Sequence, residues 1–381
     1  MARSSPPSGT PPVYTDSVEL RGLRLPLVRS FETSFGTTAA REILLVRVRG
    51  EGEEGWGECV ADDTPYYSGE TTTTAWYVLR DYLAPRLLGR HLGHPREVMT
   101  LLSDVRGHRM AKAAIEMAVW DLFARQQGQP LAGVLGGTRT RIACGVSVGI
   151  QRDIATLVER VAEERAEGYR RVKIKIKPGW DVEPVAALRA RFPDLPLMVD
   201  ANAAYDLASA DLLVALDEFG LTMIEQPLDE EDLGEHAVLQ RRLRTPICLD
   251  ESIVSARRAA EAFTLGACRV VNIKPGRLGG HAESRAVHDV CAGAGVPVWH
   301  GGMLETGIGR AHNVHLSSLA NFTLPGDVAA SKRYFVPDLV EPPFVVSSTG
   351  DMDVPRGPGL GVTVVLERVE RATHDHLTLT P

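Results

Sequence analysis

Several features that define common classes of protein are missing from this sequence of 381 residues. No apolar stretch approaches the roughly 20 residues of a membrane-spanning helix, and the opening segment MARSSPPSGTPP lacks the apolar core of a secretory signal. Long runs of lysine and arginine are also missing, and a formal net charge of −7 offers no basic surface to nucleic acid or anionic membranes. We therefore expect a cytoplasmic protein without nucleic-acid or membrane partners that acts on small molecules.

Cysteine is scarce and follows no pattern. The five cysteines are odd in number, lie far apart and form no CxxC pair, which argues against a disulfide framework and against a zinc site. We expect reduced, mostly buried thiols and assign them no role. They are Cys59, Cys144, Cys248, Cys268 and Cys291.

The most regular feature that is present is a series of five charged residues. Successive members lie 25, 25, 25 and 24 residues apart, and each one ends a short apolar run. One strand, one helix and two short loops require about 25 residues, so the series predicts the carboxyl ends of five consecutive strands in a (β/α) barrel. Barrel enzymes hold their active sites at that end. The five residues are Lys175, Asp200, Glu225, Asp250 and Lys274.

The sequence divides into four parts by composition and pattern. Residues 1–14 contain mostly Pro, Ser, Gly and Thr, and we expect them to form a disordered tail. Residues 15–138 combine antiparallel strand patterns with helical patterns and predict an α+β domain. Short apolar strands then alternate with helices over residues 139–340, as in a barrel. Residues 341–381 are long enough to return to the first domain.

Asp200, Glu225 and Asp250 would lie side by side around the mouth of such a barrel. Three carboxylates in a partly dry cleft repel one another, and a divalent cation removes that cost. Ligation by oxygen alone, without histidine or cysteine, favours Mg²⁺ or Mn²⁺ over zinc and leaves positions for substrate oxygens. Each acid alone would indicate a helix cap or a solvated strand end. Their common register favours one metal site and a carboxylate substrate.

Lys175 and Lys274 would face each other across this mouth, because four strands are half of an eight-stranded barrel. A substrate between them would present opposite faces to two bases, which suits the removal and return of a proton α to a carboxylate. A lysine must be neutral to accept a proton, and we expect a divalent cation, burial and the neighbouring Lys173 to lower its pKa. An isolated KIKIK segment would instead indicate an edge strand with solvated lysines.

Long motifs around these positions resemble those of the enolase superfamily. The likeness is to the muconate-lactonising branch, and within it to the group of N-succinylamino acid racemases and o-succinylbenzoate synthases. The barrel segments that carry it are VKIKIKPGWD at 172–181, MVDANAAY at 198–205, IEQPL at 224–228, CLDES at 248–252, VNIKPGRLGG at 271–280, VWHGGMLETGIGRAHN at 298–313 and NFTLPGD at 321–327. SFGT at 34–37, GWGECV at 55–60, GHRMAK at 107–112 and CGVSVGI at 144–150 match as well.

The resemblance implies an α/β fold of the enolase type. This fold is a modified (β/α)₇β TIM-like barrel with an α+β N-terminal capping domain, to which the last segment of the chain returns. The resemblance also implies that one Mg²⁺ or Mn²⁺ ion per subunit binds Asp200, Glu225 and Asp250.

The resemblance further implies the roles of the lysines. Lys175 and Lys274 would be the two acid/base groups, with Lys173 in support. In racemisation of an N-acylated amino acid, one lysine would remove the α-proton and the other would deliver a proton to the opposite face. In o-succinylbenzoate synthesis, a dehydration that belongs to menaquinone biosynthesis, Lys175 would act as base and then as acid, while Lys274 would serve as a cation.

Substrate contacts are also implied by the resemblance. Loops of the cap, here Phe31 to Thr37 and Asp62 to Tyr67, would close over the site and determine specificity. The expected contacts are Phe31, Asp62, Ser147, Asn202, Gly302 and Met303.

Two further residues are expected to lie behind the reacting groups. Arg277 matches a residue typical of the racemising subgroup and would lie behind Lys274, although its surroundings also fit a surface helix cap. His300 replaces the cysteine of the group's usual WCGGM motif, and we expect it to support the site rather than act as a base. Asp62 and Asp63 stand where some relatives have apolar residues, which leaves the preferred acyl group open.

Three interpretations of function remain. The first is a metal-dependent enzyme that removes a proton α to a carboxylate and forms an enediolate, as a racemase, a synthase or both. The second is a dipeptide epimerase or cycloisomerase of the same superfamily, although dipeptide epimerases usually carry Asp-x-Asp where this chain reads LPGDVAAS. The third is a non-catalytic binding barrel, which the five charges kept together argue against. We expect a homo-oligomer, whose size the sequence does not give.

Overall fold

The computed structural model describes residues 12–381 of the chain. We predicted a disordered tail at residues 1–14, and residues 1–11 of that range lie outside the described residues. Val13 and Tyr14, which that prediction included in the tail, form a short strand (β1) that pairs with His91 and Leu92. Val13 is fully buried, so burial of its side chain explains why the folded chain begins before the predicted boundary.

The first domain is an antiparallel sheet with helices on one face. Strands β2, β3 and β4 pair consecutively, and the long helix α4 packs against β4 and β3. Two glycines of β4 permit this contact, because a Cβ at Gly55 or Gly57 would overlap the backbone of α4. In chain order the elements are β1 (Val13–Tyr14), β2 (Ser17–Glu32), β3 (Thr37–Gly50), β4 (Glu53–Cys59), α1 (Thr72–Val78), α2 (Ala84–Leu87), β5 (His91–Leu92), α3 (Glu97–Leu101), α4 (Arg109–Gln126) and α5 (Leu131–Leu135).

The second domain alternates strands and helices. Strands β7 to β13 form one parallel sheet in which each strand pairs with the next in sequence. The elements are β6 (Arg141–Ala143), β7 (Val146–Val148), α6 (Ile154–Ala166), β8 (Val172–Lys175), α7 (Val182–Arg191), β9 (Leu197–Asp200), α8 (Ala210–Ala215), β10 (Ile224–Glu225), α9 (Leu233–Arg242), β11 (Ile247–Leu249), α10 (Ala256–Leu265), β12 (Val270–Ile273), α11 (Pro275–Leu278), α12 (His281–Gly293), β13 (Val298–His300) and α13 (Gly307–Leu316).

The segment at residues 322–326 occupies the position of the eighth barrel strand. Phe322 makes a parallel bridge to Val298 at one edge of the seven-stranded sheet, and Gly326 makes one to Cys144, next to the other edge. These two bridges close the sheet on itself. The predicted fold, a modified (β/α)₇β barrel with an α+β capping domain, is confirmed.

The chain ends on the first domain. Strand β17 pairs antiparallel with β2, so the sheet has the order β17, β2, β3, β4. The remaining elements are β14 (Val340–Glu341), β15 (Asp351–Asp353), β16 (Thr363–Val364), α14 (Leu366–Ala372) and β17 (Thr373–Leu379).

The barrel interior has an apolar floor below a charged mouth. The floor is a small buried cluster in which Trp299 donates a hydrogen bond to Cys248 at 3.2 Å. Side chains alternate between the two faces of a strand, so residues two positions after a floor residue also point inward, at the mouth. That rule places Asp200, Glu225 and Asp250 above the floor. The floor residues are Met198, Met223, Cys248, Val270 and Trp299.

Two expectations about the whole chain can be compared with the described residues. All five cysteines are buried and none forms a disulfide. Within residues 12–381, no helix combines the length and the apolar character needed to cross a bilayer.

Candidate functional site

The five regularly spaced residues meet at the carboxyl ends of the parallel strands, as predicted. Lys175, Asp200 and Glu225 are the last residues of β8, β9 and β10, while Asp250 and Lys274 directly follow β11 and β12. All five are buried. Both lysines line a pocket between the barrel mouth and the loops of the first domain.

Lys175 is held by two partners on the neighbouring strand. Its Nζ lies 2.7 Å from Asp200 Oδ2 and donates to Asn202 Oδ1 at 2.5 Å. The loop after β9 turns sharply here, since Asn202 and Ala203 have φ values of 44° and 59°, in a region that non-glycine residues adopt at a cost. Asp200 Oδ1 accepts a hydrogen bond from the Asn202 backbone N–H at 3.0 Å, which fixes this turn. The turn points the Asn202 side chain at Lys175.

Lys173 lies deeper, among three carboxylates. Its Nζ lies 2.8 Å from Asp327 Oδ2, 2.9 Å from Glu225 Oε2 and 3.1 Å from Asp200 Oδ2. The ammonium group also lies 4.9 Å from the centre of the Trp299 ring. Burial alone would lower the pKa of Lys173, but the three acids, Asp327 first, raise it well above the ordinary value. Lys173 is therefore a fixed positive charge.

Lys274 joins the barrel to the first domain. Its Nζ lies 2.6 Å from Asp250 Oδ2, donates to the Tyr67 hydroxyl at 3.1 Å and stands 4.6 Å from the centre of the Tyr67 ring. The expectation of a lowered lysine pKa concerns a site with a bound cation and stays a prediction. Burial is the largest influence and lowers the pKa of Lys274, but Asp250, Tyr67 and Glu251 together outweigh burial and raise it. A base at this position requires that Asp250 be engaged elsewhere.

The three neighbouring acids differ in their electrostatic balance. Burial and the nearby Asp200 raise the pKa of Glu225 to about 7. Burial also acts on Asp200 and Asp250, but Lys175 and Lys173 hold the pKa of Asp200 below its ordinary value, and Lys274 with Arg277 does the same for Asp250. Lysine and arginine thus balance the negative charges of Asp200 and Asp250, whereas the charge of Glu225 is balanced only in part.

The donor chemistry of this cluster fits a hard divalent cation. Three buried carboxylates on adjacent strands, without histidine or cysteine among them, form a typical oxygen ligand set for Mg²⁺. In residues 12–381, no group of three or more His, Cys, Asp or Glu side chains is arranged to hold a metal ion. In this arrangement Lys173 and Lys175 contact Asp200 Oδ2, and Lys274 contacts Asp250 Oδ2. A cation and the lysines would therefore compete for these oxygens.

Arg277 lies behind Lys274, and the alternative of a surface helix cap is excluded. Its side chain is buried, forms an ion pair with Asp250, and donates to the backbone oxygens of Ile253 at 2.8 Å and Asn272 at 2.6 Å. Arg277 therefore fixes Asp250 through Oδ1, while Lys274 contacts Oδ2 of the same carboxylate.

His300 does not reach the pocket. Trp299 belongs to the barrel floor, so the alternation of the strand turns His300 outward, where its ring stacks on Phe322 at 6.0 Å. Burial lowers the pKa of His300 to about 4. This position gives the imidazole no path to a substrate in the pocket.

All six residues expected to contact substrate line the pocket. Ser147 Oγ is buried there without a hydrogen-bond partner among the described residues, which suits a contact to a ligand. A Cβ at Gly302 would lie 2.6 Å from the Asp327 backbone oxygen, so glycine is needed for the close approach of these two segments. The six are Phe31, Asp62, Ser147, Asn202, Gly302 and Met303.

Four residues of the site were missed by reasoning from the sequence. Asn272 donates to Glu225 Oε1 at 2.6 Å and could have been found, because it precedes Lys274 by two residues on the same strand face. Asp327 could have been found too, since it ends the matching NFTLPGD segment. Tyr67 and Arg41 come from the first domain; Tyr67 lies at the end of a loop that was expected to close over the site, but its individual contact was not named, and no pattern in the sequence indicates the contact of Arg41 with the pocket.

Comparison with known proteins identifies the family. A family model described as "Mandelate racemase / muconate lactonizing enzyme, N-terminal domain" matches residues 19–136, and one described as "Enolase C-terminal domain-like" matches residues 156–369. The chain belongs to the enolase superfamily. Both parts of this superfamily member, the cap and the barrel, are thus recognised independently.

Relatives of this enolase-superfamily protein match most of its length. An N-succinylamino acid racemase from Amycolatopsis is 55% identical over 357 residues, which are 93% of this chain and 96% of the relative. An o-succinylbenzoate synthase from Geobacillus stearothermophilus is 52% identical over 362 residues, 95% of this chain and 96% of the relative. A crystal structure of an enolase-superfamily member from Listeria innocua superposes with a TM-score of 0.93 at 40% identity, covering 97% of this chain and 99% of the other.

Proposed function

We propose that this protein is an enzyme that removes a proton α to a carboxylate, with N-succinylamino acid racemisation and o-succinylbenzoate synthesis as its reactions. One observation carries the proposal: Lys175 and Lys274 line the same pocket from strands β8 and β12, with the three acidic strand ends between them. Two relatives, 55% and 52% identical to this chain, are named for these two reactions.

In this proposal, two lysines transfer protons and a third stabilises negative charge. In racemisation, neutral Lys175 or Lys274 takes the α-proton on its Nζ, and the other lysine, protonated, gives a proton to the opposite face of the same carbon. Lys173 stays charged beside the substrate carboxylate, where its ammonium group stabilises the negative charge of the enediolate. In the dehydration, Lys175 takes a proton and returns it to the leaving hydroxyl as water departs.

Asp200, Glu225 and Asp250 would hold a divalent cation, Mg²⁺ or Mn²⁺. When bound, this cation supplies positive charge beside the substrate carboxylate as that group gains charge. Its binding would also draw Asp200 and Asp250 away from Lys175 and Lys274, because the lysines contact the same oxygens. Lys274 would then lose the carboxylate that does most to raise its pKa, which favours the neutral amine that a base requires.

The surroundings of Asp327 favour an N-acylated substrate over a dipeptide with a free ammonium group. Asp327 lies on the last barrel segment, and its two oxygens contact Arg171 at 2.7 Å and Lys173 at 2.8 Å. These contacts hold the pKa of Asp327 at about 2, against the effect of burial. A carboxylate that already neutralises two cations offers little to a substrate ammonium group. Dipeptide epimerisation is therefore the weaker candidate.

The test is proton exchange followed by NMR in D₂O with Mg²⁺. Wild-type protein should exchange the α-proton of both enantiomers of an N-succinylamino acid, whereas Lys175→Ala and Lys274→Ala should each lose exchange with one enantiomer. Lys332→Ala, which removes an exposed lysine remote from the pocket, is the matched control and should behave as wild type. Undiminished exchange in the Lys175→Ala protein would refute the two-base arrangement.

A second assay separates the two reactions. The cyclohexadiene precursor of o-succinylbenzoate is offered to the same proteins, and its loss of water is followed by absorbance. Turnover of the precursor without α-proton exchange of N-succinylamino acids would restrict the protein to dehydration. Exchange of a dipeptide α-proton at a higher rate than that of the N-succinyl compound would favour the epimerase instead.

A further inference from the structure

The wall of the pocket on the cap side contains one charged pair among apolar and hydroxyl side chains. Phe31, Thr33, Phe35 and Thr38 line this wall together with Arg41 and Asp62. The reacting carbon must lie between Lys175 and Lys274 on the barrel side. The part of a substrate farthest from that carbon therefore meets the cap wall.

Arg41 is a buried arginine whose donors are only partly used. It lies on β3, is 3% exposed, donates through Nη2 to the Val60 backbone oxygen at 3.1 Å, and forms an ion pair through Nη1 with Asp62. Its Nε is buried without a hydrogen-bond partner among the described residues. A guanidinium group has five N–H donors, and these two acceptors leave most of them unspent. An under-used fork of this kind matches the geometry of a carboxylate.

The Asp62 carboxylate occupies part of the Arg41 guanidinium, and the backbone of Asp62 is held in a fixed position. Its backbone oxygen accepts a hydrogen bond from Thr72 N at 2.8 Å, which ties the residue to the start of α1. Its side chain is 23% exposed and faces the same pocket. An incoming carboxylate must therefore share Arg41 with Asp62 and lies close to a second negative charge.

The other charges of the pocket leave Arg41 as the partner for a distant carboxylate. Lys173, Lys175 and Lys274 already contact the acids of the barrel mouth, and Asp327 is held by Arg171 and Lys173. Among the described residues that line the pocket, only Arg41 adds a positive charge on the cap side.

We propose that Arg41 binds the terminal carboxylate of the substrate's succinyl group and that Asp62, by sharing the guanidinium, limits the preference for succinyl over uncharged acyl groups. The inference rests on the proposed function, because it takes the acylated substrate from there. The shared guanidinium would give this chain a broader choice of acyl groups than an arginine without a competing carboxylate.

The test compares two acyl groups of equal length on one amino acid, for example N-succinyl- and N-butyryl-phenylalanine. Calorimetry gives the dissociation constants of both compounds in the presence of Mg²⁺, and α-proton exchange gives kcat and KM. Arg41→Gln should lower the succinyl-to-butyryl ratio of affinities by roughly 10- to 100-fold, with the loss in KM rather than kcat. Asp62→Asn should raise the same ratio by roughly 3- to 10-fold, because Arg41 then has no competing carboxylate.

Two further arginine variants serve as controls for this test. Arg24→Gln removes an exposed arginine of the same domain, 67% exposed and also paired with a carboxylate, and should leave the ratio unchanged. Arg41→Lys keeps a positive charge and should retain part of the succinyl preference if Arg41→Gln fails to fold. Equal losses for both acyl groups in the Arg41 variants, or an unchanged ratio in Asp62→Asn, would overturn the inference. Wild-type protein that binds both compounds but exchanges neither α-proton would refute the proposed function while leaving the binding ratios as a test of Arg41.

Discussion

The barrel wall and the cap wall of the pocket carry their charges in different ways. On the barrel wall, Lys173, Lys175 and Lys274 contact carboxylates that parallel strand register sets beside them. On the cap wall, one ion pair, Arg41 with Asp62, stands among aromatic and hydroxyl side chains. The barrel wall presents groups suited to one class of reaction, whereas the cap wall presents groups suited to choosing a substrate. Changes on the two walls should therefore differ in kind as well as in size.

The largest effect is expected from removing divalent cations. Chelation should lower α-proton exchange by roughly 1,000-fold or more, because the cation supplies several kcal/mol of stabilisation to the charge that forms on the substrate. Addition of Mg²⁺ should restore the rate, as followed by NMR. Mg²⁺ should also raise the thermal midpoint, since a ligand that binds only the folded state stabilises it. Exchange that survives complete chelation would show that the reaction does not require a metal ion at the barrel wall.

A large effect is also expected when Asp327 becomes asparagine. Lys173 and Arg171 both lose a charged partner, and Lys173 is then held only by Asp200 and Glu225. We expect kcat to fall about 100-fold with a smaller change in KM, because Lys173 acts on the charge that develops during the reaction. Steady-state kinetics of racemisation, followed by polarimetry, measure both constants.

The control for Asp327→Asn is Asp353→Asn, which removes an exposed carboxylate that pairs with Arg141 away from the pocket. Its kinetics should match wild type. Loss of a buried partner also threatens folding, so the thermal midpoint of Asp327→Asn must be measured alongside. A rise in KM without a fall in kcat would show that Asp327 belongs with the specificity residues of the cap wall.

A smaller effect is expected at a contact that links the barrel mouth to the first domain. The Tyr67 hydroxyl donates to Asp250 Oδ1 at 3.3 Å and accepts from Lys274 at 3.1 Å. Tyr67→Phe keeps the ring beside Lys274 and removes only these hydrogen bonds, so kcat should fall about 10-fold. Tyr66→Phe is the matched control, because the adjacent Tyr66 is exposed. Equal kinetics for the two variants would mean that the walls act independently.

The sequence predicted the barrel wall far better than the cap wall, for a physical reason. Strand-end residues repeat with the length of a strand–helix unit, so Lys175, Asp200 and Glu225 could be placed from spacing alone. Tyr67 reaches Lys274 from a position 207 residues earlier in the chain, through a loop whose path no periodicity encodes. His300 shows a finer limit, because its outward orientation follows only once the inward position of Trp299 is known.

The pKa of Lys274 shows a related limit of prediction from sequence. The sequence indicates which charges share a strand end, but the pKa of Lys274 depends on how closely Asp250 approaches it. With Asp250 at 2.6 Å, and with Tyr67 and Glu251 nearby, the negative groups together outweigh burial and the pKa of Lys274 rises. Spacing along the chain therefore identifies the members of the site, whereas distances decide which of them are charged.

The smallest effect concerns the contact between the two domains and is seen in stability rather than activity. His312 on α13 is buried; its Nε2 lies 2.7 Å from the Trp56 oxygen on β4, and its Nδ1 lies 2.9 Å from His281 Nε2. The carbonyl of Trp56 requires Nε2 to donate, so Nδ1 must accept from His281, and both rings are neutral. Burial accordingly lowers the pKa of His312 to about 3.

A lowered histidine pKa predicts a loss of stability as pH falls below 6.5, because the unfolded chain then binds a proton that folded His312 does not. At pH 5.5 this loss amounts to about 1 kcal/mol for one histidine. Glu58 and Glu116, whose pKa values burial raises to about 7, act with the opposite sign, so wild type must be compared with His312→Gln. Between pH 7.5 and 5.5 the thermal midpoint of the variant should fall about 2 °C less than that of wild type. Identical pH dependence in the two proteins would mean that His312 is protonated as readily in the folded state as in the unfolded chain, and that the hydrogen bond to Trp56 of the cap does not require a neutral His312.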